Sequence, residues 1–209
     1  MKVEEAFKEM RKGKKRKFVQ SVDLIINLKD IDLKNPQNRF TLEVELPKGR
    51  GKDVKICAIG NKLAEALKGK VDAVITEDDL DNFEEKKREI KKIIKKCDFF
   101  VAEPQLMAKV GKVLGRYLGP KGKMPKPIPP QANMDALIKK LKNSVRIVLK
   151  EQPLIQCAIG TEDMDDKDLM ENFDAVIHAI LHKLPNGKNN IKSVYVKTTM
   201  GTPVRVDEF

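Results

Sequence analysis

Residues Val3 to Met10 carry the apolar spacing of a short amphipathic helix, and the seven residues after them, Arg11 to Lys17, include six that are basic. The apolar period then shortens to two. Phe18 to Leu28 alternates and is rich in β-branched residues, which predicts a strand. A polar, proline-bearing connection from Lys29 to Asn38 leads to a second alternating strand, Arg39 to Leu46, and Pro47 to Gly51 reads as a turn or linker.

The rhythm changes at Asp53. Short apolar runs at Val54–Ile59, Ala73–Ile75, Cys97–Ala102 and Val145–Lys150 alternate with helical patterns at Lys62–Leu67, Phe83–Lys96, Gln105–Leu118 and Met134–Lys142. Apolar strands alternating with amphipathic helices predict βαβ units and a parallel sheet covered on both faces. Beyond Pro153 the earlier style returns, with a strand at Ile155–Ile159, a long helix at Asp166–Leu184 and an alternating strand at Ile191–Thr199. The expected class is therefore α/β with two domains. Residues 1–51 and 154–209 form a split α+β terminal domain, and residues 52–153 an inserted, Rossmann-like parallel-sheet domain.

Charge narrows the function. Lys plus Arg number 42 against 31 Asp plus Glu, a net charge of +11, which points first to nucleic acid and second to an anionic membrane surface. No apolar run approaches the roughly 20 residues that span a bilayer. Met1 to Met10 lacks the apolar core of a signal peptide, so the expected location is cytoplasmic, with no membrane partner. Cys57, Cys97 and Cys157 are isolated and odd in number, which predicts buried thiols instead of disulfides or a zinc knuckle.

The most distinctive stretch is Leu114-Gly-Arg-Tyr-Leu-Gly-Pro-Lys-Gly-Lys-Met-Pro-Lys-Pro127. It holds three glycines, three prolines and the cations Arg116, Lys121, Lys123 and Lys126, with no acid. Such a shaped cationic segment is suited to phosphate. It is not a Walker loop, because Tyr117 stands where the first glycine belongs and Met124 follows Lys123. No G-x-G-x-x-G follows the strand at Val54–Ile59 either, so the middle domain is expected to be Rossmann-like in shape without a nucleotide. The alternative reading, a nucleotide-binding enzyme using that domain, lacks its fingerprints.

Other constellations favour structure over chemistry. His178 and His182 are four apart on one helix, without a third ligand, so no metal is expected. The acidic run Glu162–Asp168 lacks the glycine of a calcium loop and reads as an N-cap with favourable charge for the following helix. No spacing supports a catalytic triad, and neither a catalytic residue nor a cofactor is expected. Thr198-Thr-Met-Gly-Thr202 fits either an ordinary turn or a contact with RNA, where hydroxyls meet ribose or phosphate and Met200 meets a sugar or base.

Three separated motifs carry a resemblance. Lys17-Phe-Val-Gln-Ser-Val-Asp23, Leu114-Gly-Arg-Tyr-Leu-Gly-Pro-Lys-Gly-Lys-Met-Pro125 and Ser193-Val-Tyr-Val-Lys-Thr-Thr-Met-Gly201, in that order, resemble the ribosomal protein L-one family of the large subunit. Gln20-Ser-Val-Asp-Leu24 and Arg39-Phe-Thr bring it nearer the archaeal form. The resemblance implies binding of the terminal domain to large-subunit ribosomal RNA at the mobile stalk beside the tRNA exit site, and assistance to release of deacylated tRNA. It also implies repression of translation through the protein's own mRNA, and a monomer when free of the ribosome. Carried onto this sequence, the RNA-contacting residues are Lys17, Phe18, Ser21, Asp23, Ser193, Thr199, Met200 and Gly201. The bacterial pattern has Thr and Glu in place of Ser21 and Asp23. Arg116, Lys121, Lys123 and Lys126 would make a secondary contact, with tRNA or adjoining RNA.

Overall fold

The computed structural model describes residues 1–14, 16–67, 69–129 and 134–208, so Lys15 of the basic run lies outside the described residues. In chain order the elements are α1 (Val3–Arg11), β1 (Ser21–Leu28), β2 (Phe40–Glu45), β3 (Ile56–Ile59), α2 (Asn61–Ala66), β4 (Ala73–Ile75) and α3 (Glu77–Asp81). They continue with α4 (Phe83–Lys96), β5 (Phe99–Ala102), α5 (Met107–Leu118), β6 (Lys126–Pro127) and α6 (Met134–Lys142). The last five are β7 (Ser144–Leu149), β8 (Leu154–Thr161), α7 (Asp166–Lys183), β9 (Ile191–Thr198) and β10 (Val204–Val206). The chain divides into two compact units, Met1–Lys52 with Asn143–Phe209, and Asp53–Lys142.

The first unit is built on an antiparallel sheet in the order β10-β9-β1-β8. Alternation along β1 decides its two faces. Val22, Leu24, Ile26 and Leu28 are buried, whereas Ser21, Asp23, Ile25 and Asn27 stay partly exposed on the opposite face. Helices α1 and α7 cover the apolar side, where Phe7 meets Phe173 edge-on with centroids 6.3 Å apart and planes at 87°. Both rings are fully buried, and each contributes about 1.5–3 kcal/mol through the area it removes from water. The other face of the sheet carries Asp23, Asn27, Gln156 and Lys197 beside Ile25.

A separate antiparallel pair, β2 with β7, runs from Phe40↔Leu149 to Glu45↔Ser144 and adds Val44, Val145, Ile147 and Leu149 to the same core. This corrects the boundary expected at residue 153. A short apolar strand after a helix has the rhythm of a βαβ unit, but its hydrogen bonds go to β2, so the second unit ends at Lys142.

The second unit carries a parallel sheet in the order β4-β3-β5-β6. Strands β3 and β5 are buried along their whole length, as expected of parallel strands covered on both sides. Cys57, Ile59, Phe100 and Ala102 pack on one face beneath α3, α4 and α5, and Ile56, Ala58, Phe99 and Val101 pack on the other with Ile138 and Leu141 of α6. All three cysteines are free and buried.

Candidate nucleic-acid interface

The ends of β1 and β9 meet at a short hydrogen-bonded crossing. The Thr199 backbone N–H donates to the Ser21 carbonyl at 3.0 Å, and the Ser21 N–H donates to the Thr199 hydroxyl at 3.1 Å. Gly201 N–H donates to the Thr198 carbonyl at 3.0 Å, closing the turn that presents Met200. A Cβ on Gly201 would stand 2.3 Å from Thr198 Oγ1, so the turn has no room for a side chain there.

Gln20 supports this crossing from beneath and is itself 3% exposed. Its side-chain oxygen accepts from the Met200 N–H at 3.0 Å, and its amide nitrogen and backbone N–H donate to the two Glu162 oxygens, each at 3.0 Å. Above the clamp, Met200 is 59% exposed, and Phe18 and Val19 are 54% and 46% exposed. Large apolar side chains exposed on so cationic a protein suit contact with sugars and bases more than burial against its own core.

The eight expected contact residues are only partly gathered. Ser21 and Thr199 are joined by direct hydrogen bonds, Met200 and Gly201 follow in the adjoining turn, held by Gln20 and the Thr198 carbonyl, and Phe18 and Lys17 lie just upstream. Asp23 lies farther along the open face, opposite Lys197 of β9. Burial pushes its carboxyl above the ordinary value, against the pull of Lys197 and Lys52. Ser193 is at the far end of β9, about 20 Å from Thr199 at the usual strand rise, where its hydroxyl accepts from Asn27 Nδ2 at 2.9 Å.

Three supporting residues stand outside the expected contact set, although Gln20 lies within the first motif. Gln20 and Glu162 form the clamp, and Lys52 Nζ donates to Ser21 Oγ at 2.7 Å. Each acts across a long stretch of sequence. The run Glu162–Asp168 supplies the N-cap of α7 and acid in its first turn, as expected, but it also makes ion pairs. Asp165 sits at the N-cap of α7 without a side-chain capping bond, while Asp166 pairs with Arg11 at 2.6 Å and Asp168 with Lys48 at 3.2 Å. His178 and His182 are exposed, and among the described residues no group of three or more His, Cys, Asp or Glu is placed to hold a metal.

In the second unit the cationic motif is not one loop. Leu114 and Leu118 are buried on α5, Arg116 is exposed on the same helix, and Lys126 belongs to β6. Lys121 is exposed at the turn, but Lys123 Nζ donates to the Cys97 carbonyl at 2.6 Å and so serves the fold.

The turn after β3, where a Rossmann fold receives pyrophosphate, is closed by the protein's own carboxylate. Glu103 Oε1 accepts from Leu63 N–H at 3.0 Å, and a Cβ at Gly60 would meet it at 2.4 Å. A dinucleotide phosphate would have to displace a buried anion to reach that helix end.

Comparison with known proteins shows the family. The ribosomal protein L1p/L10e family matches residues 10–202. The large ribosomal subunit protein uL1 of Pyrococcus horikoshii is 51% identical over 209 residues, covering 99% of this chain and 95% of the relative. That of Thermococcus kodakarensis is 49% identical, covering 99% and 97%, and that of Methanothermobacter thermautotrophicus 46% identical, covering 97% of each. The chain belongs to the ribosomal protein L1p/L10e family, whose members are structural proteins and not enzymes.

Proposed function

We propose that this protein is a cytoplasmic component of the large ribosomal subunit and that its first unit binds large-subunit ribosomal RNA. The contact residues are Lys17, Phe18, Ser21, Asp23, Ser193, Thr199, Met200 and Gly201. The observation that carries this reading is the exposure of Met200 on a turn fixed from below by Gln20 and Glu162. A protein that only needed a turn there would gain nothing by holding methionine out to water. The net charge of +11 supplies attraction to phosphate, and the clamped turn supplies contacts that depend on RNA shape.

The RNA is that of the mobile stalk beside the tRNA exit site, and binding there assists release of deacylated tRNA. Free of the ribosome the protein is a monomer and binds a similar structure in its own mRNA, repressing its translation. Arg116, Lys121, Lys123 and Lys126 form a secondary contact with tRNA or adjoining RNA, to which Lys123 contributes least because its ammonium is engaged by Cys97. Titration of the full-length chain with a stalk RNA fragment, beside a plain duplex of equal length, tests the core of this reading. Preference for the stalk fragment that persists at raised salt supports it, and equal affinity for both RNAs would leave only charge.

A further inference from the structure

The second unit has a cleft outside the residues assigned above, with Arg116 the one exception. Helices α3, α4 and α5 line a cavity of about 340 Å³ that includes Asp81, Phe83, Lys87, Lys112, Arg116 and Tyr117. Phe83 and Tyr117 make an aromatic wall, with ring centroids 5.6 Å apart and planes at 39°. The Lys91 ammonium stands 5.0 Å from the Tyr117 centroid. Lys112 and Arg116 are four apart on α5, so they extend from one face of the helix, and both are exposed.

Asp81 does not cancel this charge. Its carboxylate accepts from Lys109 Nζ at 2.7 Å, and the same ammonium reaches Glu77 at 3.1 Å. With Asp81 satisfied, Lys112 and Arg116 leave the cleft cationic beside an aromatic wall. Those are the two components that hold single-stranded nucleic acid, a surface for the base and charge for the backbone. The volume is at the lower end of the roughly 300–1,000 Å³ usual for small-ligand sites, which suits one nucleotide and not a duplex groove.

We propose that this cleft takes one unstacked nucleotide of an RNA strand, with the base against Tyr117 and the phosphate between Lys112 and Arg116. The proposal rests on the reading of the chain as an RNA-binding protein, and it adds a contact on the helices to the one proposed for the loop. The cations extend from exposed positions, a geometry that favours a polyanion, which releases counterions on binding, over a free mononucleotide.

The chain has two tyrosines and no tryptophan, so a full-length Tyr195→Phe variant leaves Tyr117 as its sole tyrosine reporter. Its emission is followed while a short oligouridylate is added at low salt, with UMP as a second arm. The expected result is saturable quenching by the oligomer, weaker by about tenfold in affinity when Lys112→Ala and Arg116→Ala are added, and weaker again for UMP at equal nucleotide concentration. Absent quenching, quenching that survives the double substitution, or UMP acting as strongly as the oligomer would overturn the proposal. Anisotropy of a labelled stalk fragment on the same variant separates the two sites. Stalk binding with a silent Tyr117 removes the cleft alone, whereas a quenched Tyr117 without stalk binding supports the cleft and removes the first-unit site.

Discussion

Gln20 grips both carboxylate oxygens of Glu162, one with its backbone N–H and one with its side-chain amide, each at 3.0 Å. The remaining amide oxygen of Gln20 holds the Met200 N–H, so the clamp orients the turn that displays Met200. Glu162→Ala leaves two donors of a nearly buried residue without an acceptor and is expected to cost about 1–3 kcal/mol in urea unfolding. It is also expected to weaken stalk RNA binding about tenfold, which is about 1.4 kcal/mol. Lost stability with undiminished RNA affinity would show that the clamp serves only the fold.

At Gly201 the obstacle is space and not a left-handed backbone. A methyl group there meets Thr198 Oγ1 at 2.3 Å, and Thr198 is itself only 5% exposed. Gly201→Ala is therefore expected to shift the turn and reduce RNA affinity by about tenfold. The compensating pair Gly201→Ala with Thr198→Ala removes the oxygen in the way and should recover part of the loss. A double variant as weak as the single would contradict the steric account.

Asp23 predicts a dependence on pH whose sign follows from its raised carboxyl pKa. The folded state holds this proton more tightly than the unfolded state, so the favourable contribution is complete below the ordinary value of 3.8 and is lost as pH rises through the folded value. At neutral pH the ionised carboxylate therefore opposes folding. Asp23→Asn is expected to raise stability at neutral pH, and the gain should vanish well below pH 3.8. Urea unfolding of both proteins across that range checks it, and a gain independent of pH would assign the effect to something other than ionisation.

Glu103 predicts an effect confined to the second unit. Its carboxylate occupies the turn after β3 and accepts from Leu63 N–H. Glu103→Ala should cost about 1–3 kcal/mol, seen as faster hydrogen exchange at Leu63, with stalk RNA affinity unchanged. Exchange at Leu63 as slow as in the parent protein would remove Glu103 from this role.

Much of the fold was legible because its strands have faces. The buried positions of β1, and of β9 from Val194 onward, follow the two-residue alternation in their sequences, and the fully apolar β3 and β5 belong to a parallel sheet covered on both sides. Strand β7 misled because its apolar run is local information, whereas its pairing with β2 is not. Two-residue β6 is too short to show a period. At the interface, Met200 and Gly201 were visible as a motif, but the reason for their geometry was not. Gln20 and Glu162 are 142 positions apart, and neither one's neighbours announce the other. The cations of the central motif were grouped by adjacency in sequence, although α5 sets Arg116 beside Lys112 and the fold turns Lys123 toward Cys97.

The most direct test of the central claim is the affinity of full-length Met200→Ala and Lys62→Ala chains for a stalk RNA fragment at two salt concentrations. Met200 is uncharged and exposed on the clamped turn, whereas Lys62 is an exposed cation of the second unit. The account predicts that Met200→Ala loses about tenfold at both salt concentrations with an unchanged salt slope, while Lys62→Ala stays close to the parent. Equal losses from the two substitutions, or a Met200→Ala chain that binds like the parent, would contradict it.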